Sequence, residues 1–330
     1  METLNGKKYI EKARLAAAGK DVRKLAAIHA GVTVGLGLLI TLLQYVLAKG
    51  IGNTSGLSGM NTRSILETMQ TVLQWANTLL VPFWNLGFLY TALQWSRGNS
   101  VQTKDLLAGF QRIGPCVGLL LNRFMISFAV MFLCAYLCGG AFMMMPAAEP
   151  LLEVAYSANG DMEAFYGAIE QMDPMMLMSA LAPMLILWGI VCLALLVPLL
   201  YRFRFAEFVI LNHPGVRGLP AMMISAALLR RRCWQLLKLD LRMWWYYGLQ
   251  LLCVLVMYAN LLLRAVIPVG ELPVLLLYLL YLAGLFLVQT FFRPRVETAY
   301  ALFYDKLMEM GPVQKKTASA VPANVPWDNQ

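Results

Sequence analysis

"MMLMSALAPMLILWGIVCLALLVPLL", residues 175–200, contains no Asp, Glu, Lys or Arg over its whole length. A hydrocarbon core about 30 Å thick is crossed by roughly 20 apolar residues of helix, so this stretch reads as a membrane span. Working outward, similar runs recur at 25–48, 69–95, 124–145, 243–263 and 273–292. The chain is 59% hydrophobic and only 14% charged. The expected fold class is all-α, a polytopic six-helix transmembrane bundle forming one integral membrane domain over residues 1–310.

Charge fixes the expected orientation. With the N-terminus inside, 24 of the 27 Lys and Arg residues fall on cytoplasmic segments, and only Lys49, Arg63 and Arg264 fall outside. That bias is the positive-inside pattern of an N-in, C-in protein. The formal charge of +9 therefore reports topology rather than an affinity for nucleic acid. The expected location is the cytoplasmic (inner) membrane, multi-pass. Cys116, Cys134, Cys138, Cys192, Cys233 and Cys253 all lie in or beside spans or on the cytoplasmic side, away from an oxidising loop, and no structural disulfide is expected. The outer loop 147–174 carries six acids and no base, and "NGDMEAFYGAIEQ" within it reads as a short capped helix.

Each cytoplasmic approach to an outgoing span looks helical and amphipathic: 7–24, 101–122 and 216–242. In the last, "LLRRRCWQLLKLD" (228–240) sets Leu229, Cys233, Leu236 and Leu237 on one apolar stripe with Met222 and Ala226, read at 100° per residue. Arg231, Gln235, Lys238 and Arg242 fall on the opposite face. Such a helix lies in the membrane interface with its bases near anionic headgroups. Arg230, Arg231, Arg232 and Lys238 are the candidate headgroup contacts. A nucleic-acid surface is excluded because the chain returns at once to the bilayer. After Gly311, three prolines and no apolar periodicity suggest a disordered cytoplasmic tail, 311–330.

"YRFRFAEFVILNHPGV" (201–216), followed by "SAALLRRRCWQLLKLDLRMWW" (225–245), resembles a family of bacterial integral membrane proteins known only as domain of unknown function nine-seven-five. The matching features are the aromatic-basic Tyr201 to Phe205, Asn212 with Pro214, Ser225, Trp234, and Leu239 to Leu241. "RPRVETAYALFYDKL" (293–307) and "SRGNSVQTKDLLAGF" (96–110) are similar to its closing and earlier cytoplasmic segments. Two departures stand out: the family usually has Gly where Arg231 stands, and His213 separates Asn212 from Pro214. The resemblance implies six spans and no known reaction. A more distant likeness is to the membrane domain attached to some glycerophosphodiester phosphodiesterases, whose hydrolase domain has no counterpart here.

No GxSxG, HExxH, phosphate-binding Gly-Lys loop or CxxC pair is present. Cys134 and Cys138 with the nearby methionine runs would suit Cu(I), but Met and Cys also fill irregular apolar packing, so no metal or cofactor is expected. The spans hold no Asp, Glu, Lys or Arg, which argues against ion coupling. Asn85, Gln250 and Gln289 are the candidate intramembrane polar contacts. Asp240 falls on the apolar stripe, and an ion pair with Arg202 or Arg204 would relieve its burial. The expected class is a non-enzymatic accessory protein that meets lipid headgroups or a membrane-protein partner. The alternative is a small permease or lipid translocator without proton coupling.

Overall fold

The computed structural model describes residues 6–52, 57–158, 161–266 and 271–311. Among them the chain is all-helical. In order, the helices are α1 (Gly6–Ala16), α2 (Lys20–Gly52), α3 (Leu57–Ser96), α4 (Ala108–Gln111), α5 (Ile113–Phe142), α6 (Glu149–Ser157), α7 (Met162–Gln171) and α8 (Pro174–Arg202). There follow α9 (Ala206–Asn212), α10 (Gly218–Leu229), α11 (Cys233–Arg242), α12 (Trp244–Val266), α13 (Glu271–Phe291) and α14 (Arg293–Met310). Short 3-10 turns at Thr103–Leu107 and Pro146–Ala148 complete the set.

Each of the six apolar stretches lies on a long helix. By length and composition, however, three described segments suffice to cross a membrane: Lys20–Leu47, Ile113–Phe142 and Met175–Asn212. A fourth joins them if Leu276–Phe291 and Arg293–Met310, bent by 41°, count as one span. Amides explain the shortfall in α3, where Gln74, Asn77 and Asn85 interrupt the apolar run. In α12 the described apolar portion, Trp244–Ala259, is short. The tail beyond Gly311 and the side chains of Lys49, Arg63 and Arg264 lie outside the described residues.

Local chemistry sets several helix ends. Asp161 caps α7, its carboxylate accepting from the Glu163 and Ala164 amides at 2.9 and 3.4 Å, as the capped-helix reading of 147–174 requires. Asp173 does the same for α8 through the Met175 amide at 3.0 Å, with Pro174 in the first turn, where its missing N–H costs nothing. Gly311 ends α14 at φ 64°.

The chain forms two compact units. The first combines the residues up to Gln111 with those from Ala226 onward; the second is Arg112–Ser225. In the first, α2 packs on α3 and α13, α12 on α13, and α14 on α1 and α3. Its core includes Val22, Leu25, Phe88, Ala92 and Leu106. The segment 103–111 lies directly on the α3 backbone: a Cβ at Gly87 would come within 1.7 Å of the Leu106 carbonyl oxygen, and one at Gly109 within 2.0 Å of the Phe83 oxygen. In the second unit α5 packs on α8 and α9. There the α10 start abuts α5, because a Cβ at Gly218 would meet the Leu119 nitrogen at 2.3 Å.

Candidate functional site

In the first unit the bend between α13 and α14 places Arg293 on the inside. Its side chain is 11% exposed. Nη1 donates to Gln289 Oε1 at 2.9 Å and Nη2 to Asn85 Oδ1 at 3.0 Å. Nε lies 3.6 Å from Glu297 Oε1, one turn further along α14. The guanidinium sits 4.9 Å from the centre of the Phe88 ring. A buried cation requires this many partners, because an unpaired charge away from water costs several kcal/mol. Two amides singled out in the sequence, Asn85 and Gln289, thus meet on Arg293, one of the bases counted on the expected cytoplasmic segments. Beside them His29 is buried, stacked on Trp84 at 5.2 Å and packed against Phe88 at 4.6 Å. The Trp84 indole donates to the His29 carbonyl.

A second polar chain runs from α11 to α12 through α14. Tyr300 donates its hydroxyl to Asp240 Oδ1 at 2.5 Å, and the Tyr247 and Tyr300 hydroxyls are 2.5 Å apart. Gln250 donates to the Tyr246 hydroxyl at 2.8 Å. Asp240 therefore has a hydrogen-bond donor within its own unit, whereas Arg202 and Arg204 belong to the other. Neither Tyr300 nor Glu297 was foreseen as a site residue. The available signal was the "RPRVE" opening of α14, a proline in the first turn with Arg and Glu four residues apart.

Sequence periodicity treats 216–242 as one helix; the structure breaks it. Arg230, Arg231 and Arg232 form a turn between α10 and α11, with Arg231 at φ 63°. Gly is the residue that enters this left-handed region without strain. The break changes the phase of the apolar stripe. Leu229 and Leu236 are buried, but Leu237 is 36% exposed and shares the outer face of α11 with Trp234 and Lys238. The Lys238 ammonium lies 5.8 Å from the Trp234 ring centre. Arg230 and Arg231 are exposed. Arg232 instead donates from Nη1 to the Gly311 carbonyl at 2.9 Å, placing a cation at the C-terminus of α14 where free carbonyls carry partial negative charge. Burial lowers its pKa from the ordinary guanidinium value.

The second unit uses arginine in the same way. Arg112 Nη1 donates to the Ile210 carbonyl at 2.6 Å and to that of Leu211, at the end of α9. Arg123 bridges Glu207 at 2.5 Å and the Phe203 carbonyl at 2.8 Å. The buried Ser225 hydroxyl accepts from the Phe205 amide at 3.1 Å and donates to the Arg202 carbonyl at 2.8 Å, fastening the turn after α8. The Arg204 guanidinium lies 5.8 Å from the Tyr201 ring centre. A cleft of about 620 Å³ opens between the start of α5, at Gly114, Pro115 and Gly118, and the start of α10, at Arg217 and Gly218.

Comparison with known family models, curated proteins and solved structures gives no match.

Proposed function

We propose that this chain is a six-span, N-in and C-in protein of the cytoplasmic membrane, with a non-enzymatic accessory role exercised on anionic lipid headgroups or on a membrane-protein partner. One observation carries the reading: two charged side chains of the first unit, Arg293 and Asp240, are held by polar partners on neighbouring helices. Arg293 donates to Asn85 and Gln289 and lies beside Glu297, and Asp240 accepts from Tyr300. Groups committed in this way hold helices together, and a permeating solute would have to break them. The resemblance to the family of unknown function, with its six spans, supports the same reading. The cleft in the second unit favours the alternative, a permease or lipid translocator without proton coupling, because it is large enough for a small polar solute.

The test is reconstitution of the full chain. Proteoliposomes should show no flux of lipid or small solutes above protein-free vesicles, and lipid should be retained on purification. Neutralising Arg230, Arg231, Arg232 and Lys238 together should reduce the recovered anionic lipid more than neutralising Lys49, Arg63 and Arg264, since each base near an anionic surface contributes on the order of 1 kcal/mol. Sustained flux would overturn the accessory role, and equal recovery would remove the headgroup assignment. We also retain as a proposal that Asp240 pairs with Arg202 or Arg204. A double-mutant cycle with a coupling near zero at both arginines would rule it out.

A further inference from the structure

Helix α11 is apolar on two opposite sides. At 100° per residue Leu236 and Leu239 project one way, and both are buried. Trp234, Leu237 and Leu241, about half a turn round, project the other way and are 62%, 36% and 59% exposed. A helix at a water-facing surface needs only the first stripe. The second leaves a tryptophan and two leucines uncovered, and the same face carries Lys238, whose ammonium sits by the Trp234 ring. Arg242, on the flank and also exposed, reaches toward α1: a Cβ on Gly6 would lie 3.0 Å from its Nη1. Just beyond, Trp244 opens α12 and is 69% exposed.

We infer that this outer face of α11 is a lipid-binding surface: Trp234, Leu237 and Leu241 enter the acyl boundary of an anionic leaflet, and Lys238 meets a lipid phosphate. The inference rests on the membrane reading above and deepens it, by naming the surface and its ligand class. Two arguments select lipid as the occupant. The first is the composition of the face, in which an indole and leucines surround a lysine whose methylene stem can lie along apolar surface while its charge reaches the headgroups. The second is continuity, because α11 passes through Met243 straight into the apolar α12. The basic turn Arg230 and Arg231, exposed at the other end of the helix, complements a negative surface.

The experiment places the photo-crosslinking residue p-benzoylphenylalanine at Leu241, at Leu237 in a second variant, and at the exposed polar Asn99 as a control. The full chain is reconstituted in nanodiscs of phosphatidylcholine and phosphatidylglycerol, irradiated, and its lipid adducts weighed by mass spectrometry. Variants are compared only where melting and gel filtration match the parent. Lipid adducts at Leu241 and Leu237 should exceed those at Asn99 several-fold. Lys238→Gln should lower the phosphatidylglycerol preference of the adduct about fivefold, the factor expected of one headgroup-facing base. Adducts no more abundant at either leucine than at Asn99 would overturn the inference. A covalent adduct to a second copy or to another membrane protein, found on irradiating native membranes, would overturn it in favour of a protein interface. An unchanged phosphatidylglycerol preference would remove Lys238 from the site. Flux in proteoliposomes would sink the accessory role and leave the adduct pattern standing, so the two failures are distinguishable.

Discussion

Arg231 holds a φ of 63°, a conformation that costs a residue with a Cβ about 1–2 kcal/mol. Arg231→Gly should therefore raise thermal stability in detergent by about 1 kcal/mol, and Arg231→Val, with its branched Cβ, should lower it; a melting experiment on the three proteins checks both signs. The hydroxyl of Tyr300 makes a different prediction. It supplies a hydrogen bond to Asp240, and bonds to a charged group contribute about 1.5–3 kcal/mol. Tyr300→Phe should cost that amount, while Tyr247→Phe, at the exposed end of the same chain, should cost less. If both are neutral in denaturation, the chain is not holding α11 to α14. At this scale sequence reading was uneven. Asn85 and Gln289 stood out as amides in apolar runs. Their shared partner did not, because Arg293 follows an expected span in the sequence, where a base is accounted for by the positive-inside pattern alone.

Helices were legible where a single local rule dictates them. The six apolar stretches coincide with α2, α3, α5, α8, α12 and α13 because length and hydropathy act residue by residue. The break between α10 and α11 was not legible in that way, since three arginines continue a helical pattern and only a tertiary constraint forces the turn. Nor was the burial of α14, whose Val296, Ala299, Tyr300, Phe303 and Leu307 are all covered, among helices drawn from both ends of the chain. Close packing of elements yields the sharpest test. With the Leu106 oxygen 1.7 Å from where a Cβ would stand, Gly87→Ala must push the 103–111 segment off α3. The loss should lie at or above the upper end of the roughly 1–3 kcal/mol typical of overpacking. Ala at Gly35, where no such neighbour exists, should be tolerated, and equal melting temperatures for the two variants would contradict the contact.

For the whole molecule, reporter fusions decide the topology. Fusions after residues 60, 160 and 268 should read outside, and those after 105, 225 and 315 inside. A cytoplasmic signal at 160, within the acidic loop, would refute six spans. The division into two units bears on biogenesis as well. The second unit is one continuous stretch, Arg112–Ser225, while the first is assembled from segments on both sides of it. During synthesis the contiguous unit is complete while α11 to α14 are still unmade. The early helices α1, α2 and α3 must meanwhile persist without α13 and α14, which pack on them in the finished protein. Until translation reaches α14, the Phe88 and Asn85 surface of α3 lacks Arg293. The nascent chain thus carries an incomplete first unit for most of its time on the ribosome, and that interval is when an insertase, a chaperone or a protease would find it.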